Sequence, residues 1–234
     1  MATTDTAALI DRAPQIYATT RDQLVAVLRA CSDEQVATLL PACPEWTARD
    51  IAAHLSGLVA EILAGVEPPL GSDEATTRQV NDRAGQSLAQ ICDEWQRNAD
   101  AIFEVMGVND YAALGLGADL TVHAHDIYEG LGIDPADTAD ASMLGAHRYS
   151  GLLQERVAER LGAALTIELI DVASYPPPNP DGMPGITLRA SAHEFLRAVT
   201  GRRSRSEVHA MHWSSDPTTL IDQAWRQYGE FPDT

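Results

Sequence analysis

Gly117-Ala-Asp-Leu-Thr-Val-His-Ala-His-Asp-Ile-Tyr-Glu-Gly-Leu-Gly132 places three polar side chains, Asp119, His123 and Asp126, at helical spacing. At about 100° per residue, positions i, i+4 and i+7 fall within an arc of roughly 60°, so one ion or substrate can meet all three. The bordering stripe of Leu116, Leu120, Ile127 and Leu131 presses the same helix into a core. A carboxylate and an imidazole drawn partly inward need partners. Two readings supply them: a hydrogen-bonded pair that only holds helices together, or a metal site of the kind made by paired side chains one turn apart. A ligand from another helix decides between them.

Upstream, Thr47-Ala-Arg-Asp50 has the pattern of a helix start, with Thr47 as N-cap and Asp50 reaching back. The helix predicted from Ala48 to about Gly65 carries His54 two turns in. There it borders the apolar face of Ile51, Leu55, Leu58 and Ile62, near Asp50 and Glu61. Taken alone, such a histidine is ordinarily a satisfied core residue. The preceding link Pro41-Ala-Cys-Pro-Glu-Trp46 is stiff and sets a large aromatic just ahead of the helix.

Around these two segments the periodicity predicts one long helix from Thr6 to Ala30, and a short one opened by the capping box Ser32-Asp33-Glu34-Gln35 and running through Leu40. It also predicts a long helix from Glu74 to Met106, a loop from Gly107 to Gly117, and a last helix from Ala139 to Leu161. Long helices joined by loops make an antiparallel bundle. After Gly162 the pattern changes. Leu165 to Asp171 alternates like a half-buried strand, Pro176 to Gly182 is a stiff loop, and Gly185 to Ala190 is a second strand. Ser191-Ala-His-Glu194 caps a helix ending near Gly201, Glu207 to Trp213 reads as a third strand, and Asp216-Pro217 opens a final helix through Tyr228. The expected fold is mainly α in two parts, a helical bundle over residues 1–162 and a small α+β domain over 163–234.

Composition narrows the classes of function. The 234 residues are 45% hydrophobic, with no apolar run long enough to span a bilayer and no charged-then-apolar leader, the expectation for a soluble cytoplasmic protein. A net charge of -18 argues against a nucleic-acid surface and against anionic membranes, which leaves a small molecule as the expected partner. Cys31, Cys43 and Cys92 are widely spaced and form no Cys-x-x-Cys, so they read as small core residues. All 16 basic residues are Arg, a coding bias of GC-rich bacterial genomes.

Leu40-Pro-Ala-Cys-Pro-Glu-Trp-Thr-Ala-Arg-Asp-Ile-Ala-Ala-His-Leu55, followed by Asp119-x-x-x-His123-Ala-His-Asp126, resembles the mycothiol-dependent maleylpyruvate isomerase family within the DinB/YfiT superfamily of metal-binding four-helix bundles. Ala192-His-Glu-Phe-Leu-Arg and Gly201-Arg202 resemble the α+β domain that such proteins carry behind the bundle. The resemblance implies a divalent metal, usually zinc, held by His54, Asp119 and His123, a mycothiol-like thiol as cosubstrate, and an actinobacterial source. The family commonly has Glu where this chain has Asp119, one methylene shorter, so Asp119 must come closer or bind through a water, and Asp126 is the first alternative carboxylate to test. His125 points about 160° away from His123 and cannot share its ion.

The basic cluster Arg202-Arg203-Ser-Arg205 is the chain's candidate for binding a carboxylate of substrate or thiol, with the balancing of an acidic surface as the alternative. The functional expectation is a metal-dependent isomerase or S-transferase acting on a small electrophile. Asp126 and Arg202 are its catalytic candidates, and Arg202 and Arg203 its cofactor contacts. A metal-bearing binding module without turnover is one alternative. A hydrolase with Asp126 or Glu61 as general base is another.

Overall fold

The computed structural model describes residues 6–67, 70–135, 137–170, 173–175, 184–225 and 231. The chain is mainly α with a small α+β part. It divides into two compact units, Asp11–Thr138 on one side and Met1–Ile10 with Ala139–Thr234 on the other.

Helix α1 (Thr6–Asp11) and helix α2 (Ala13–Ala30) replace the single long helix predicted from Thr6 to Ala30. Pro14 explains the break, since it has no N–H to donate and its ring clashes with the carbonyl four residues back. The Ser32 capping box forms as read and opens α3 (Asp33–Val36). The chain then leaves the helix and pairs β1 (Leu39–Leu40) with β2 (Cys43–Thr47), a hairpin that periodicity did not reveal. Thr47 ends β2 and caps α4 (Ala48–Leu63).

The helix predicted from Glu74 to Met106 is three: α5 (Asp73–Asn81), α6 (Leu88–Arg97) and α7 (Ala99–Gly107). Ser87 and Gln90 form a capping box at the start of α6, a local signal that the apolar spacing had overridden. Conversely, the predicted loop before Gly117 is helical. Helix α8 (Asp110–Leu131) begins where the Asn109 side chain accepts from the Ala112 N–H at 3.0 Å. Gly115 and Gly117 each cost about 1 kcal/mol in a helix interior. Burial of Ala113, Leu116 and Ala118 on the same helix offsets that. Gly132, at φ 64°, closes α8 in the left-handed conformation of a helix C-cap.

Within this unit α2 packs on α8, and α4 on α5 and α6. The Trp95 indole N–H donates to the Tyr17 hydroxyl at 3.0 Å between two buried side chains, and burial pushes the Tyr17 phenol pKa up. The stripe expected on α8 is buried at Leu116, Leu120 and Ile127.

In the other unit, helix α9 (Ala139–Leu161) leads to β3 (Ala164–Leu169), β4 (Ala173–Tyr175) and β5 (Gly185–Ala190). Helix α10 (Ala192–Val199), helix α11 (Arg205–His209), strand β6 (His212–Trp213), helix α12 (Thr218–Leu220) and a π turn (Ile221–Trp225) complete it. The sheet order is β4-β3-β5-β6, with β3 and β5 parallel and both outer pairs antiparallel. Alternation on β3 holds, with Leu165, Ile167 and Leu169 buried.

Two expectations are corrected in this unit. Helix α9 packs on α10, β3 and the π turn, so by its contacts it belongs with the sheet, and the division falls at Ala139 rather than near Gly162. The strand predicted over Glu207 to Trp213 starts as a helix instead. Ser204 and Glu207 form a capping box there, and only His212 and Trp213 pair with β5. The proline-rich loop from Pro176 to Gly182 and the end of the final helix lie outside the described residues.

Candidate metal centre

Local capping sets the position of His54. The Thr47 hydroxyl accepts from the Asp50 N–H at 3.1 Å, and the Asp50 carboxylate accepts from the Thr47 N–H at 3.0 Å, so α4 starts at a defined residue. His54 then lies two turns in, almost wholly buried at 3% exposure. On α8, Asp119 and His123 stand one turn apart on the face that the sequence pattern assigned them.

The two helices bring these side chains together. His54 Nε2 lies 3.2 Å from Asp119 Oδ2, and His123 Nε2 lies 3.8 Å from Asp119 Oδ1. The two imidazole centroids are 5.2 Å apart. Among the described residues His54, Asp119 and His123 form a group whose donor atoms lie within 4.8 Å of one another. Ligands bound at about 2.1 Å in a tetrahedron stand about 3.4 Å apart, so donor set and spacing both suit a small divalent ion. Asp119 is the most open of the three, one third exposed, while His123 is 12% exposed. Although shorter than Glu, the Asp119 side chain reaches both rings.

The far nitrogen of each ring is also engaged. His54 Nδ1 is 2.7 Å from the Gln79 side-chain oxygen, and His123 Nδ1 is 3.1 Å from Asp126 Oδ2. The Trp46 ring closes one side, with centroids 5.3 Å from His54 and 5.9 Å from His123, nearly parallel to the latter. Burial by itself depresses the His54 pKa. The Asp119 carboxylate, by charge and hydrogen bond, outweighs burial together with Gln79 and Glu61, and the net shift is upward.

Asp126, expected as a catalytic carboxylate or substitute ligand, lies behind His123 rather than beside Asp119. It is fully buried, and Oδ2 also accepts from the Cys43 thiol at 3.3 Å. Cys43, His123 and Asp126 form a second group of closely spaced donors, so Cys43 is not the plain core residue that its sequence context suggested. Glu61, a candidate base, is held by Arg78 at 2.7 Å and Gln79 at 2.6 Å. Burial works to raise its pKa, but these donors hold the carboxyl below its usual value. His125 is buried against Tyr128 in an edge-to-face contact at 6.2 Å, outside both donor groups, as its helical position required.

The arginines belong to the other unit. Arg202 donates to the Thr200 carbonyl at 2.6 Å. Arg203 grips Glu194 through two nitrogens, at 2.9 and 3.2 Å, and Arg205 does the same to one oxygen of Asp222, at 2.6 and 2.9 Å. Arg203 and Glu194 line a cavity of about 690 Å³ together with Arg189, Ser191 and His212, but Arg202 does not. Nothing in the sequence marks Gln79 for a role, and Trp46 stands there as a large aromatic within the stretch that carries the family resemblance. A glutamine inside a helical pattern carries no local mark of a histidine partner 25 positions away.

Comparison with known proteins places these features in context. Residues 17–128 match the family model described as the mycothiol maleylpyruvate isomerase N-terminal domain, a span that holds every residue of the cluster. Among solved structures, the chain is similar to the mycothiol-dependent maleylpyruvate isomerase, at 14% identity with a TM-score of 0.53. It is also similar to a variant of that enzyme with one histidine replaced by alanine, at 15% identity with a TM-score of 0.56. Each match covers 88% of this chain and 93% of the other, which establishes a shared fold. No curated protein matches the chain in sequence.

Proposed function

We propose, from the match of residues 17–128 to the mycothiol maleylpyruvate isomerase N-terminal domain, that the chain is a metal-dependent enzyme using a mycothiol-like thiol. It acts as isomerase or S-transferase on a small electrophilic substrate. The observation that carries this reading is the convergence of His54 Nε2, His123 Nε2 and the Asp119 carboxylate, from two helices, on one point.

These three residues would hold the ion, zinc in the first instance. A divalent ion with an open position keeps a thiol deprotonated near neutral pH. Each protein group has a distinct part in presenting that thiol. His54 and His123 supply neutral nitrogen donors, and Asp119, the most exposed of the three, supplies the negative charge on the open side. Buried Asp126 accepts the Nδ1 proton of His123, which leaves Nε2 as the donor nitrogen and fixes the ring plane. Trp46 covers both rings and limits water on that side. Arg203, in the wall of the cavity, and its neighbour Arg202 are the proposed contacts for a carboxylate on substrate or thiol. A reducing cytoplasm suits the three free cysteines, and no helix among the described residues is long and apolar enough to cross a membrane.

A hydrolase is less well supported, because both of its candidate bases are already engaged, Asp126 behind His123 and Glu61 on Arg78 and Gln79. The test pairs metal analysis with turnover. Purified protein is expected to carry close to one equivalent of ion, His54→Ala and His123→Ala to carry little, and conversion of maleylpyruvate or a related electrophile to require mycothiol. Equal trace metal in all three proteins would remove the metal centre. Turnover that survives omission of thiol would favour a hydrolase, and metal without turnover would favour a binding module.

A further inference from the structure

We propose that Gln79 is a positioning residue for His54, holding the ring with a proton on Nδ1 and with Nε2 turned toward Asp119; the consequence for metal binding rests on the reading given above. Gln79 is wholly buried on α5, and its amide can sit in only one sense. Its nitrogen lies 2.6 Å from Glu61 Oε2 and 3.1 Å from the Leu70 carbonyl oxygen. Both are acceptors. Turned over, the amide would set its own oxygen against two others with no hydrogen between them.

The NH2 group therefore faces Glu61 and Leu70, and Oε1 faces His54 Nδ1 at 2.7 Å. Oε1 has lone pairs only, so the proton between them belongs to Nδ1. Nε2, turned to Asp119 at 3.2 Å, is then the nitrogen left to take an ion; without one it faces a second acceptor, the Asp119 carboxylate, to which it donates only when the ring carries a proton on both nitrogens. Without the Nδ1 proton, His54 Nδ1 and Gln79 Oε1 would be two buried acceptors face to face.

The arm is braced at both ends. Arg78 Nε donates to the other Glu61 oxygen at 2.7 Å, which keeps that carboxylate in place to receive Gln79. Arg83 donates to the Gln79 backbone carbonyl at 3.1 Å and is itself gripped by Glu94 at 2.6 and 2.9 Å. Room for the arm comes from Gly57 on α4. A Cβ there would lie 2.7 Å from Arg83 Nη1 and 2.8 Å from Gln79 Cβ, so any larger residue pushes α5 away from His54.

The tautomer can be read directly by side-chain 1H–15N spectroscopy of the full chain labelled at histidine, metal-free and with one equivalent of zinc. Wild type is expected to keep a slowly exchanging Nδ1 proton on His54 in both states and to engage zinc through Nε2. Gln79→Leu, similar in volume but without an acceptor, is expected to lose that signal and to bind zinc about 10- to 100-fold more weakly. Gly57→Ala, which leaves Gln79 chemically intact, is expected to weaken that signal. A wild-type His54 without a proton on Nδ1, or a folded Gln79→Leu protein with unchanged Nδ1 signal and affinity, overturns the assignment. If wild type takes up no zinc at all, the metal reading fails, and the Nδ1 signal still decides the role of Gln79.

Discussion

His123 Nδ1 lies 3.1 Å from Oδ2 of Asp126, three residues further along the same helix, and that carboxylate is wholly buried. The pairing turns the opposite ring nitrogen toward Asp119 and His54. It is the arrangement in which a carboxylate fixes the tautomer of a metal-binding histidine and raises its basicity.

Removing the acceptor is expected to weaken the site without removing a ligand. Asp126→Leu should bind zinc about 10- to 100-fold less tightly than wild type, and Asp126→Asn, which retains an oxygen, should lose much less. Competition with a chromophoric chelator measures both. Equal affinity in Asp126→Leu and wild type would mean that Asp126 does not orient His123.

Asp119 couples metal binding to pH. In the metal-free protein the His54 pKa is raised, with Asp119 outweighing burial. A raised folded value stabilises the fold fully below the ordinary histidine pKa of 6.5, and that contribution is lost as pH rises through the folded value. Metal-free wild type should therefore lose thermal stability over that rise. Asp119→Asn should flatten the loss and also abolish tight zinc binding. Melting curves in the presence of chelator check the first, and a variant that follows the wild-type pH profile would contradict it.

Trp46 stacks on His123 and lies tilted against His54, so a paramagnetic ion in the site is expected to quench its fluorescence. One equivalent of Co2+ or Cu2+ should remove a fraction of the emission of the four tryptophans, and Trp46→Phe should show little of that loss. Quenching of the same size in the variant would place the ion elsewhere.

Acid sensitivity in the α+β unit should come partly from Glu207. Its carboxylate accepts from the backbone N–H and the hydroxyl of Ser204, which together with Arg203 outweigh burial and hold its pKa below 4.5. A lowered folded value stabilises above the unfolded pKa, and that contribution is lost as pH falls through the folded one. Glu207→Gln should therefore be less stable than wild type at neutral pH and nearly equal to it in acid. A stability difference independent of pH would rule this out.

The helical positions of the candidate side chains could be read from residue order, while it was the family resemblance that joined His54 to Asp119 and His123 as one set. The Thr47 to Asp50 capping pattern, His54 two turns beyond it, and the spacing of Asp119 and His123 are local properties of helices, and they survive into the structure. Capping boxes at Ser87 and Ser204 are equally local, and they start helices where apolar periodicity alone predicts a continuing helix and a strand. Pro14 was a similar signal on the first helix.

What residue order determined was the class of fold and the places of His54, Asp119 and His123 on their helices, because helical spacing and caps act within a few residues. Only tertiary packing decided the rest: that α5 lies close enough to α4 for Gln79 to reach His54, that Asp126 ends up behind His123 rather than beside Asp119, and that Cys43 comes to the same carboxylate. These partners are 25 and 83 positions apart, or share a helix whose burial sets which side of the ring each can reach. Hydrogen bonds of that kind depend on how helices pack, which no short stretch of the chain encodes.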